Sequence, residues 1–370
     1  ELASALQERI LILDGAMGTT IREYELDEAA ARGERFQTND KDLLNNGDIL
    51  SLTRPDVIAD IHKRFFDAGS DIVETNTFSA TTIAQSEFFV EAPRESGAGR
   101  KDPEFFQEKV LENSFLQDLA WELNLQSTAL AREEADRSTA RTDRPHYVAG
   151  AIGPLTVSLT NSPDADDPGF RVVTFDQVKE AYAQQVRALA EAGVDILMVE
   201  TIFDSLNAKA ALVAIQEFFE AENVRLPIII SAAVGLGGET MISAQKAEAL
   251  WNATAHLKPL AIGLNCSLGP DKMKPFLQEL GATALFLNPI NDAPSLHKYD
   301  ARNYRHIDRN FGPAPEGDAA AAAAEDPTDP ATWTWTAADS LFLALVDEVH
   351  RRGMRIIVDY SWNHTGTQFW

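Results

Sequence analysis

The stretch Ile10-Leu11-Ile12-Leu13-Asp14-Gly15-Ala16-Met17-Gly18-Thr19 reads as a buried strand running into a glycine-rich loop. Its apolar run carries no polar alternation, the pattern of a strand covered on both faces. Four later stretches repeat this grammar: IVETNTF at 72–78, VAGAIGP at 148–154, ILMVET at 196–201 and AIGLNC at 261–266. Between them lie helical stretches: Val57 to Phe66, about Leu116 to Asp136, about Phe175 to Ala192 and about Ser243 to Ala255. Strands alternating with helices imply right-handed βαβ units and a parallel sheet. Pro227 to Val234 adds another strand, and Ala284 to Asn288 and Ile356 to Asp359 supply a seventh and an eighth. Eight is the number that closes a (β/α)8 TIM barrel. A doubly wound open sheet is the structural alternative.

With 370 residues the chain can bury a large core, as one large domain or two ordinary ones. Its formal net charge of -25 argues against nucleic acid or an anionic membrane as partner, since phosphate binding needs clustered Lys and Arg. The one cysteine, Cys266, permits no internal disulfide and fits a reducing, cytoplasmic setting. No run of about 18 apolar residues marks a transmembrane helix. Glu1 to Glu8 lack the basic and apolar regions of a secretory signal, and residues 1–9 read as a short helix under the barrel.

Several segments interrupt the repeat. Residues 20–50 are polar and read as a long loop over the site, as do residues 155–171. Residues 89–113, with Pro93, Gly97, Gly99 and Pro103 among charges, read as a surface insertion. The run Ala319 to Ala324, flanked by acids and prolines, reads as a disordered loop over about 313–330. A helix is expected from about Ala337 to Arg352.

In a TIM barrel the chemistry sits at the C-terminal ends of the strands. Glycines in Asp14–Thr19 let a ligand approach the backbone, although a tight turn accounts for them equally well. Glu74 and Glu200 each stand as Glu-Thr after an apolar strand, where a carboxylate could bind an amino group or form a buried pair. Cys266, at the end of the sixth strand, is a candidate zinc ligand or nucleophile; the bland reading is a small buried hydrophobe. Asp359, Asn363 and His364 could bind sugar hydroxyls, ligate a metal, do acid–base work or form a structural network. Tyr299 and Tyr304 offer a stacking platform.

Residues 9–280 resemble the homocysteine-binding barrel of cobalamin-dependent methionine synthase. The motifs are LDGAMGTTI at 13–21, RGERF at 32–36, DIVETNTFSATTIA at 71–84, VETIFDSLNAKAA at 199–211, ISAAVGLGGETMISAQ at 230–245 and GLNCSLGPD at 263–271. That family holds homocysteine as a thiolate on a zinc bound by three cysteines, and the thiolate takes a methyl group from cobalamin. The resemblance implies that Cys266 is a zinc ligand. It also implies that Asp14, Gly15, Ala16, Met17, Gly18 and Thr19, with Glu74, Asn76, Glu200 and Asn265, bind homocysteine. Methylcobalamin would come from another module or chain. The adjacent cysteine pair that completes the family's zinc site is absent, which implies impaired activity; Asp359 or His364 would be the substitute ligands.

From about Gly281 the chain instead resembles the α-amylase family, through LFLNPINDAPSLHKYDARNY at 285–304 and IIVDYSWNHTG at 356–366. This implies a sugar subsite at Tyr299, Asp359 and His364. Glycoside hydrolysis is not expected, because that family's catalytic carboxylates would lie beyond this segment. The chain thus reads as a chimera, with 1–280 from one barrel and 281–370 completing it. The expected function is homocysteine S-methyltransferase chemistry giving methionine; the alternatives are a carbohydrate-binding fragment or a non-catalytic chimeric barrel.

Overall fold

The computed structural model describes residues 2–9, 11–15, 17–93, 100–266, 268, 272–273, 275–276, 284–287, 290–294, 301–326, 328–351 and 355–359. Among them the apolar runs become eight strands: β1 (Ile12–Leu13), β2 (Ile72–Glu74), β3 (Tyr147–Ile152), β4 (Ile196–Ile202), β5 (Ile228–Ala232), β6 (Ala261–Leu264), β7 (Ala284–Leu287) and β8 (Arg355–Asp359). They form one sheet in the order β6-β5-β4-β3-β2-β1-β8-β7. Every paired neighbour is parallel. The two ends of that order, β6 and β7, run alongside each other, so the sheet curls round on itself in a TIM-barrel-like arrangement. Leu13 is in register with Ile72 on one side and Asp359 on the other, which puts the opening loop between the ends of β2 and β8.

Alternation along the strands divides the core in two. Ile72, Tyr147, Ala149, Ile196, Met198, Ile229 and Ala261 pack inside the curl. Leu2 and Leu6, from the helix Leu2–Glu8, join this inner cluster. The intervening residues Val73, Val148, Leu197, Val199, Ile228, Ile230 and Ile262 pack outward against the helices. Burial on both faces is why these runs lack polar alternation in the sequence.

Local signals set the helices. Pro55 occupies the first turn of Pro55–Ala68, and Gly69 ends it with φ of 113°, a left-handed conformation that favours glycine. A capping box between Thr174 and Gln177 starts Phe175–Glu191. Asp204 caps Ser205–Glu222. On the side opposite the site, buried Asp71 accepts both guanidinium nitrogens of Arg9 at 2.7 and 2.6 Å, Arg144 at 2.7 Å and the Ile12 N–H at 3.0 Å.

Three expectations need correction. Residues 20–50 are not one long loop: Met17–Glu23 and Glu28–Arg32 are helical, the second held by an Asp27 cap. The 89–113 segment is not wholly a surface insertion, because the helical turns Pro103–Leu111 bury Phe106, Val110 and Leu111. The disordered loop over 313–330 gives way to a helix, Pro315–Ala323. There alanine's helix propensity prevails, with Pro315 starting the helix rather than breaking it. Asp318 then ties it to the helix Ala337–Arg351 by accepting the N–H groups of Ala337 and Ala338 at 2.8 and 2.9 Å.

Candidate functional site

At the C-terminal ends of the strands lies a cavity of about 440 Å³. Gly15, Met17 and Gly18 form the wall that follows β1. Glu74, Thr75 and Asn76 come from β2, Glu200 and Thr201 from β4, and Asn265 and Cys266 from β6. Phe78, Phe88 and Met198 add apolar surface. A Cβ placed on Gly18 would meet nothing within 4 Å, so that position leaves room beside the backbone.

Glu200 reaches the cavity through an irregularity in β4. The register with β5 shifts between Val199 and Ile202, and Thr201 has φ of 52°. For a β-branched residue that conformation costs on the order of 1–3 kcal/mol and persists only where neighbours enforce it. The enforcing neighbour is Asn265. Its amide N–H donates to Thr201 Oγ1 at 2.8 Å, and its carbonyl accepts Ser231 Oγ at 2.8 Å, joining the ends of β4, β5 and β6. The next residue, Cys266, also has positive φ, 61°, and is exposed.

Asn45, Asn46, Gly47 and Asp48 form another part of the cavity lining. Asn76 holds it by donating to the Gly47 carbonyl at 2.9 Å and to Ser51 Oγ at 3.1 Å. Asn46 pairs with Gln85 at 2.7 Å. The segment brings in Asp48, a cavity residue that the sequence reading passed over as part of a polar loop. Asp48 is 4% exposed and its Oδ2 accepts the Ser79 N–H at 2.7 Å. Burial pushes its carboxyl up to about 7. Burial also pushes Glu200 up to about 7, with the Thr201 hydroxyl opposing the shift and the charge of Asp48 adding to it. The signal available in the sequence was an acid within a segment already read as lying over the site.

The predicted residues divide as follows. Gly15, Met17, Gly18, Glu74, Asn76, Glu200, Asn265 and Cys266 line one cavity. Asp14 is buried outside that lining, with its carboxylate on the Glu74 N–H at 2.7 Å, and Thr19 is not part of the lining. Ala16, Tyr299, Asn363 and His364 lie outside the described residues, and Asp359 is placed by its backbone in β8. A zinc site of three cysteines does not fit this chain, which has one cysteine. Among the described residues no three His, Cys, Asp or Glu side chains gather so as to hold a metal ion. Among them, too, no helix is long and apolar enough to cross a membrane.

Comparison with known proteins agrees with this architecture. The family model described as homocysteine S-methyltransferase matches residues 11–337. The matched span extends past residue 280, over β7 and as far as residue 337, so it gives no support to a junction near 280. Among solved structures, the metallated homocysteine methyltransferase MmuM from Escherichia coli aligns with TM-score 0.57 and 16% identity, covering 96% of this chain and 93% of that one. Its oxidized form aligns with TM-score 0.57 and 16% identity over 97% and 94%. Its apo form gives 0.51 and 17% over 95% and 90%. At these identities the structures speak for the fold, and the family match carries the assignment: the chain belongs to the homocysteine S-methyltransferase family.

Proposed function

We propose that this chain binds homocysteine at the barrel mouth and presents its sulfur for methylation to methionine. The observation that carries the reading is Glu200, a buried carboxylate aimed by the β4 irregularity into a cavity of amino-acid size. Family membership supports the substrate. In this reading Glu200 receives the α-ammonium group, and the open wall at Gly15 and Gly18 admits the main-chain end of the ligand. Met17, Phe78, Phe88 and Met198 surround its thiol-bearing arm. The methyl donor is methylcobalamin carried by a separate module, as the methionine synthase resemblance implies. β7 and β8 belong to the same sheet as β1 to β6.

With one cysteine, the chain cannot build the three-cysteine zinc site that would ionise the thiol. A free thiol with pKa near 8.5 is about 3% thiolate at pH 7. The proposed enzyme is therefore a competent binder and a slow methyl-transfer catalyst. Calorimetry with L-homocysteine, paired with an assay of methionine formation from methylcobalamin, tests it. Saturable binding with slow turnover supports the reading. Failure to bind homocysteine, with binding of maltooligosaccharide instead, would sink it.

A further inference from the structure

We infer that Arg32 is a positioning residue: through the turn segment that follows it, its guanidinium holds two walls of the cavity in the arrangement that receives the ligand. The identity of that ligand rests on the homocysteine reading. Between the helix Glu28–Arg32 and the helical turn Gly47–Ile49 the chain runs in turns, without helix or strand. Such a segment has no regular backbone ladder, so its polar groups need other partners. Arg32 and Glu28 supply them. Arg32 Nη1 donates to the Asn39 carbonyl and, at 3.4 Å, to the Phe36 carbonyl, and Nη2 donates to the Lys41 carbonyl at 3.0 Å. Its Nε donates to Glu28 Oε1 at 2.6 Å. The Glu28 carboxylate also accepts the N–H groups of Leu43 and Leu44, each at 2.8 Å. One ion pair thus fixes the path of the chain from residue 36 to residue 44.

That path joins two parts of the cavity wall. Directly after Leu44 come Asn45, Asn46, Gly47 and Asp48, all of which line the cavity. From the middle of the path, Asn39 Nδ2 donates to the Phe88 carbonyl at 3.1 Å, and Lys41 Nζ donates to the carbonyls of Glu87 and Val90 at 3.3 and 2.8 Å. Glu87 and Phe88 lie in the last turn of the helix Thr82–Phe89, whose carbonyls have no partner within the helix and favour a cation. Phe88 is itself a lining residue. Arg32 lies outside the described lining, so replacing it takes no side chain out of that wall. A planar guanidinium spans several carbonyls at once, which a lysine ammonium does not. With the fork removed, the two walls sample other arrangements, and affinity falls with the fraction that stays competent.

The test combines hydrogen exchange on the ligand-free full chain with calorimetry using L-homocysteine. Arg32→Ala is expected to speed exchange of the amides at 43–48 and 85–90, leaving the strands β3 to β5 as slow as in wild type. Homocysteine affinity should fall about tenfold, the result of a competent fraction near one tenth. Guanidinium chloride at a non-denaturing concentration should restore much of that affinity by refilling the site, whereas sodium chloride at the same strength should not. Arg32→Lys gives the same two readouts should Arg32→Ala fold poorly. Unchanged affinity in both variants would overturn the positioning role and leave the homocysteine reading standing. So would a loss of affinity that guanidinium does not reverse while exchange at 43–48 and 85–90 stays slow. Failure of wild type to bind homocysteine would remove that reading, and the exchange at the two walls would then decide alone whether Arg32 couples them.

Discussion

Asp14 Oδ1 accepts the backbone N–H of Glu74 at 2.7 Å, so the loop after β1 is fastened to the end of β2 by a buried carboxylate. Asp14→Ala strips that acceptor and leaves a buried N–H unsatisfied, at a cost of about 1–3 kcal/mol. Asp14→Asn retains a carbonyl acceptor and should cost less. The denaturant midpoints should rank wild type, then Asn, then Ala, with an unchanged slope. Equal loss in both variants would assign the effect to the charge rather than to this bond.

His62 is fully buried in Pro55–Ala68, and neither ring nitrogen has a hydrogen-bond partner among the described residues. Burial holds its pKa down at about 4, against 6.5 for a free histidine. The native state keeps the ring neutral while the unfolded chain binds a proton below 6.5. Stability therefore falls as pH drops from about 6.5 to about 4, by a total of about 3 kcal/mol. His62→Leu should flatten that limb of the stability profile between pH 6.5 and 4. Parallel profiles for the two proteins over this window would show that His62 is not the source.

His306 shows the opposite sign. Its Nδ1 lies 2.7 Å from Asp339 and its Nε2 2.9 Å from Glu325, so an ionised acceptor faces each nitrogen. That geometry favours the doubly protonated ring. The Asp339 hydrogen bond first, and Glu325 with it, raise the His306 pKa against the effect of burial. A raised folded-state value contributes stability that is complete below 6.5 and lost as pH climbs through that value. The stability gap between wild type and His306→Gln should be widest near pH 6 and close toward pH 9. A gap independent of pH would mean that packing alone supports this corner.

The single cysteine makes a kinetic prediction. Without a three-cysteine zinc site, the thiolate fraction of the bound substrate follows solution pH. Methyl transfer at saturating homocysteine should rise about tenfold per pH unit up to roughly 8.5 and then level. A rate that is flat from pH 6.5 to 9, or one that collapses with a chelator, would show that the thiol is ionised by another means.

The segment Pro315–Ala323 shows where composition misled. An alanine run between prolines looks like disorder when its neighbours are unknown. In the fold Pro315 begins a helix, and Asp318 binds the start of a helix nearly twenty residues further on. The same holds for Asn76 and Asn265. Both were legible as residues at strand ends, but their amide groups brace the Gly47 carbonyl and the strained Thr201, partners that only folding brings near.

What the sequence determined by itself was the order of apolar runs and helices, and hence a parallel α/β barrel with Glu74, Glu200 and Cys266 at strand ends. That information is local: a strand buried on both faces is apolar throughout, and the C-terminal ends of the strands lie at the mouth of such a barrel. The tertiary structure alone decided that Asp48, from a polar segment, lines one cavity with Glu200, close enough for its charge to raise the Glu200 carboxyl. Their interaction spans about 150 residues of chain and depends on a backbone irregularity in β4, a term that neither residue's neighbours encode.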